Sequence, residues 1–223
     1  MILDSFGQLS LSKIEQSNIY EENLSQSQIL TNDQAKDLVS LCEFSFDDEW
    51  SLIYRASRDG YGARDFHFKC DDHSPTLTLL KAKQSKFIFG GYTEVTWESS
   101  NQWKSDPNTF IFSLTNKENK PCKMKTTDVD KSIYCSQRYG PTFGGGFDIF
   151  IENNANVSTQ SFSNLGWTYE HPLYSCKTNE AQSFLAGSYK FQLDEVEVYA
   201  KHIKSGKIFL FENFITFEVI LYT

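Results

Sequence analysis

His67, Cys70 and His73 form an H-x-x-C-x-x-H string, the nearest approach to a metal-ligand set in the chain. Zinc takes imidazole nitrogen and thiolate sulfur in a tetrahedral arrangement. Phe66 and Phe68 alternate about His67 as in a strand, and extended residues three apart face opposite sides, so one strand cannot gather all three ligands. The expectation is therefore an ordinary strand with a half-exposed imidazole and no metal. Glu195 and Glu197 are spaced to share one face of a strand, where a like-charged pair raises one pKa and suits general acid–base chemistry. The plainer reading of that face is solvation, as on an edge or one-sided sheet.

Tyr139-Gly140-Pro141-Thr142-Phe143-Gly144-Gly145-Gly146 has the look of a phosphate loop. It lacks the Lys-Ser/Thr ending and leads into the strand-like run FDIFI (147–151) instead of a helix, so no amides or helix dipole await a phosphate. Its glycines read as permitting a close approach between strands. No G-x-S-x-G elbow occurs, and sequence alone brings neither His171 nor His202 beside a thiol. The five cysteines, Cys42, Cys70, Cys122, Cys135 and Cys176, are an odd set without a C-x-x-C pair, which fits reduced thiols and a cytoplasmic address. The sequons at Asn23 and Asn156 then read as chance matches.

The 223 residues carry 29 acidic against 21 basic side chains, a net charge of -8 that argues against nucleic acid as a partner. The first residues show no basic stretch followed by an apolar core, and no run approaches a membrane span. The expectation is a soluble chain without membrane insertion. Aromatics at 15%, with 19 Phe and 11 Tyr, favour pleated sheets.

These side chains need elements to position them. Residues 1–28 are polar, with apolar side chains too sparse for a core, and read as a linker or weak helix. Thr31-Asn32-Asp33-Gln34 has capping-box form, followed by Ala35, Leu38, Val39 and Cys42 at helical spacing. From Trp50 the pattern turns to β: Trp50, Leu52 and Tyr54; Leu77 and Leu79; Phe110, Phe112 and Leu114. Turns at 58–60, 71–75 and 105–108 separate the runs. In FIFGGYTEVTW (87–97), two glycines inside an aromatic run imply a bulge, a corner or a close backbone approach. In FQLDEVEVY (191–199), the apolar phase slips between Leu193 and Val196, which predicts a bulge near Asp194-Glu195.

Taken in order, WSLIYRASRDGYGARDFHFKCDDHSPTLTLLK (50–81), FIFGGYTEVTW, FIFSL (110–114), GPTFGGGFDIFI (140–151), SNLGWTY (163–169) and FQLDEVEVY closely resemble the TLDc domain of the oxidation-resistance proteins. The resemblance covers about 29–203 and implies a two-sheet antiparallel β-sandwich with a few short helices. It also implies a protein-interaction module without cofactor or metal, linked to oxidative-stress protection. Several members bind the peripheral sector of the vacuolar proton-pumping ATPase and promote its disassembly. The family pattern falls on Gly90, Gly91, Gly144, Gly145, Gly146 and Gly166 as turn residues, on Asp148, and on Glu195 and Glu197 as weak catalytic candidates; a late acid has been suggested as functional in the family, with Glu197 its nearest match.

Two alternatives stand beside this reading. One is an antioxidant or hydrolytic enzyme using a reactive Cys or the Glu195/Glu197 pair; the other is the terminal scaffold domain of a larger signalling protein. No peptidoglycan-binding or Rab-regulating domain, as found in some members, is expected ahead of this one. The tail 204–223, rich in Ile, Phe and Leu, lies beyond the pattern. It stays open as an extra strand, a buried plug, part of a longer chain or a gene-model artefact.

Overall fold

Leu77, Leu79, Phe110, Phe112 and Leu114 pack into one apolar cluster, while Leu80, Ala82, Phe89, Ile111 and Met124 pack into another. Strands buried on both faces lie between two layers. The computed structural model describes residues 24–45, 48–171 and 173–202; most of the segment read as a linker, the Asn23 sequon and the 204–223 tail lie outside them.

The described strands are β1 (Glu49–Arg55), β2 (Thr76–Ala82), β3 (Ile88–Thr93), β4 (Gln102–Lys104), β5 (Phe110–Ser113), β6 (Cys122–Lys125), β7 (Ile133–Cys135), β8 (Ser161–Phe162), β9 (Lys190–Phe191) and β10 (Leu193–His202). Six of them form the central antiparallel sheet in the order β1-β10-β2-β3-β5-β6. One of its faces is covered by helix α1 (Asn32–Cys42), through Leu38, Val39 and Cys42, and by Leu24 and Ile29. The capping box forms as expected: Thr31 Oγ1 accepts the Gln34 amide (3.3 Å) and Gln34 Oε1 accepts the Thr31 amide (3.0 Å).

The opposite face carries the second β layer. The pairs β4–β7 and β8–β9 are joined by antiparallel bridges Ile133↔Phe143, Phe143↔Ile149 and Phe150↔Phe162. Ile133, Phe143, Ile149, Ile151 and Phe191 point from it into the shared core with Trp97 and Tyr169. The fold is thus mainly β and antiparallel, two β layers with a few short helices, as the sequence implied. FDIFI contributes bridges at Ile149 and Phe150 instead of a regular strand.

Two local readings change and a third holds. Residues around His67 are helical: α2 (Ala56–Asp59) is followed by α3 (Ala63–Cys70), whose buried side is Ala63, Phe66, His67 and Cys70. That spacing of i, i+3, i+4 and i+7 is a helix face, and Asp65 Oδ2 accepts the Gly62 amide at its start (3.0 Å). Phe68 is consequently 85% exposed and His67 only 7%. In β1, a register shift between Leu52 and Tyr54 sends Trp50 to the helix side and Tyr54 to the other core, so the three do not share one face. The bulge expected in β10 is present between Leu193 and Glu195.

Gly90 and Gly91 lie in the middle of β3, in unbroken register with Leu79 and Thr78, and form neither corner nor bulge. Glycine is required there by crowding: a Cβ on Gly90 would stand 1.9 Å from the Thr78 carbonyl oxygen, and one on Gly91 2.6 Å from the Phe143 ring. Gly90→Ala should therefore lower the unfolding free energy by about 3 kcal/mol in urea titration, and Gly91→Ala by less, because a ring yields more readily than backbone. A Gly90→Ala stability within about 0.5 kcal/mol of the parent would contradict this packing.

Candidate functional site

The bulge in β10 sets the phase of Glu195 and Glu197, and the junction of β1 with α2 closes over them. Glu197 is fully buried and its carboxylate accepts four donors. Arg55 Nε (2.9 Å) and the Gln28 amide (2.8 Å) meet Oε1; Ser27 Oγ (2.6 Å) and Tyr199 OH (3.2 Å) meet Oε2. The Arg55 guanidinium also donates to the Gln26 carbonyl. Glu195, 6% exposed, accepts the Ser57 and Val196 amides at 3.0 Å each.

The solvated face expected for the two acids is therefore corrected. Both are buried, because the 24–28 segment and the β1–α2 turn cross above them. A buried carboxylate is tolerated when hydrogen-bonded or paired, and here the partners come from the chain itself. The arrangement clamps the 24–28 segment to β10. Nothing in the sequence identified Ser27 or Arg55 as partners, since each lies more than a hundred residues from Glu197.

A second buried acid joins two motifs. Asp148 accepts the amides of Gly166 (2.9 Å), Trp167 (3.0 Å), Thr168 (3.0 Å) and Tyr169 (3.3 Å). Gly144 (φ +86°) and Gly166 (φ +102°) adopt the left-handed backbone this interlock needs, and a Cβ on Gly144 would lie 2.1 Å from Asp148 Oδ2. Gly145 and Gly146 make room for the Lys131 stem and the Trp167 indole. The glycine loop thus cradles the chain's own carboxylate. Burial raises the Asp148 carboxyl and the four amides pull it back, leaving it pushed up to about 6.

The thiols, His67 and His202 are similarly committed, while His171 Nε2 is buried without a hydrogen-bond partner among the described residues. All five cysteines are free thiols. Burial pushes Cys122 and Cys135 up to about 11, and Cys42 and Cys70 far above the ordinary thiol range. Cys176 is also raised. The thiolate is the reactive form, so each shift works against oxidant chemistry. His67 faces Asp71 Oδ1 through Nδ1 (2.7 Å) and the Ser136 carbonyl through Nε2 (2.7 Å), fixing α3 against the second layer. His202 Nε2 meets Ser51 Oγ (2.6 Å), and His171 Nδ1 accepts the Leu173 and Tyr174 amides.

The TLDc domain family model matches residues 23–202. The chain belongs to the TLDc family. Its match starts ahead of the boundary read at residue 29, and Leu24, Ser27 and Gln28 are indeed anchored to the domain. Beside α1, the TLDc domain opens a cleft of about 550 Å³. Tyr92 and Phe110 stack there at 5.1 Å, and Lys123 Nζ lies 4.4 Å above the Phe110 ring while bonding the Cys42 carbonyl and Glu43. No helix among the described residues is long and apolar enough to cross a membrane.

Two outcomes follow. Glu197→Gln leaves the Arg55 guanidinium without its carboxylate and should cost about 3 kcal/mol, with faster amide exchange at Gln28; unchanged stability and exchange would refute the clamp. For Asp148, a folded pKa near 6 lies above the ordinary carboxyl value, so the stability linked to its protonation is fully present below about pH 4 and is lost as pH rises through about 6. The stability gap between the parent and Asp148→Asn should therefore widen by about 2 kcal/mol from pH 7 to pH 4.5. A gap that stays constant or narrows would show that the carboxyl is not raised.

Proposed function

We propose that this TLDc chain is a non-catalytic protein-interaction module of the cytoplasm, which binds and regulates the peripheral sector of the vacuolar proton-pumping ATPase and by that route contributes to oxidative-stress protection. The observation that carries the reading is the commitment of the candidate chemistry to the fold. The Glu195 and Glu197 carboxylates hold the β1–α2 junction and the 24–28 segment, and burial holds the thiols away from the thiolate form. Family membership supports an interaction module, and the pump is the partner that the family resemblance suggests.

Purified domain should be retained by the assembled peripheral sector at low ionic strength, where charged contacts are strongest. Folded protein that passes through unretained refutes the partner. A folded variant with all five cysteines replaced should protect cells against peroxide as well as the parent. Loss of protection would instead place a thiol in the reaction.

A further inference from the structure

The second β layer has an unusual outer face. Along its strands, inward and outward positions alternate: Ile133 and Cys135 point into the core with Tyr134 outward, Ile149 and Ile151 point inward with Phe150 outward, and Phe191 points inward with Lys190 outward. Outward positions of a sheet with one covered face are ordinarily polar. Here most of them are rings. Trp103 contacts Tyr134 (centroids 4.6 Å apart) and Phe147 (5.7 Å); Phe147 contacts Phe150 (5.4 Å); Phe150 stacks on Phe162 (4.8 Å, 28°); and Phe162 meets Tyr189 (5.7 Å). None of these six rings belongs to either core cluster. All except Phe150 are partly exposed, Tyr189 at 39%.

The cross-strand register makes this one face. Trp103 stands opposite Tyr134, Phe150 opposite Phe162, and Phe162 opposite Lys190. Cations border it: Lys131 lies along Gly145 beside the Phe147 turn, Arg138 precedes Tyr139, whose ring packs on Phe150 (4.7 Å), and Lys190 flanks Phe162. All three are exposed, and none is in an ion pair among the described residues. On a chain of net charge -8, a contiguous aromatic strip edged by uncompensated cations is the composition of a protein interface, with rings as anchors and charge on the rim.

We propose that this ribbon is the docking face of the module, and that its occupant is an acidic amphipathic segment of a protein partner, apolar side chains lying on the rings and carboxylates reaching Lys131, Arg138 and Lys190. The inference rests on the interaction-module reading and supplies its surface and partner chemistry. The test uses a fluorescein-labelled amphipathic peptide of about 18 residues with Leu along one face and Glu beside it, and a twin with Lys for every Glu. Anisotropy with the full chain needs no pump sector, so failure here and failure of the pump reading are separately visible.

The acidic peptide should bind and its twin should not. Trp103→Ala with Tyr189→Ala should weaken binding at least ~10-fold. Arg138→Glu with Lys190→Glu, which reverses exposed charge and gives up only the surface hydrogen bond from Lys190 to Gln160, should do the same and steepen no longer with falling salt. Absence of binding by the acidic peptide, equal binding of the twins, or parent-like binding by the folded charge-reversed variant would each overturn the proposal.

Discussion

The Asp148 carboxylate is the tie on which the outer half of this domain depends. The second β layer has no continuous ladder; its two short strand pairs are connected by single bridges at Phe143, Ile149 and Phe150. Isolated bridges give little stability of their own. They are reinforced by one buried carboxylate inserted into the amides of Gly166–Tyr169, which, with the Gly145 amide on Thr168 Oγ1 and the Asn164 side chain on the Gly146 carbonyl, binds the 144–148 loop to the 163–169 loop. Tyr169, held in this way, reaches back to the Ser132 carbonyl (2.7 Å) and Thr109 (3.0 Å), linking the interlock to β7 and the central sheet. The aromatic ribbon lies on the outside of what this tie assembles.

Electrostatics in the domain follow one pattern. Glu195, Glu197, Asp106 and Asp148 are all buried, and amides and hydroxyls supply most of their donors. Amides bring partial positive charge without the side-chain entropy of a lysine. These acids therefore define loop geometry and leave little accepting capacity for a substrate. Exposed cations on the ribbon are the counterpart. The interior consumes carboxylates, while Lys131, Arg138 and Lys190 stay exposed and outside any ion pair among the described residues.

The parts of the fold visible in the sequence are those governed by neighbours along the chain. Thr31 and Gln34 lie three residues apart, so the capping box was legible, as was the phase slip at Leu193–Val196. Alternation at Phe110, Phe112 and Leu114 identified one core face. Where long-range packing decides, local pattern misled. Phe66-His67-Phe68 alternates like a strand, yet Ala63 and Cys70 at the same helical face, and the His67 contacts to Asp71 and Ser136, make it a helix. Glu195 and Glu197 read as a solvated pair because their partners, Ser27, Arg55 and Ser57, are distant in sequence. The glycine motif GGGFD was legible as family pattern, whereas its purpose, a cradle for Asp148, required the SNLGWTY loop beside it.

Amide hydrogen exchange on Asp148→Ala tests this account most directly. Protection should fall at Thr168 and Tyr169 and, with them, at Phe150 and Phe162 across the outer layer. The β2 and β3 amides of the central sheet should keep theirs. Exchange that rises evenly over both layers, or stays at parental levels in the 163–169 loop, would contradict the claim that this one carboxylate organises the outer half of the domain.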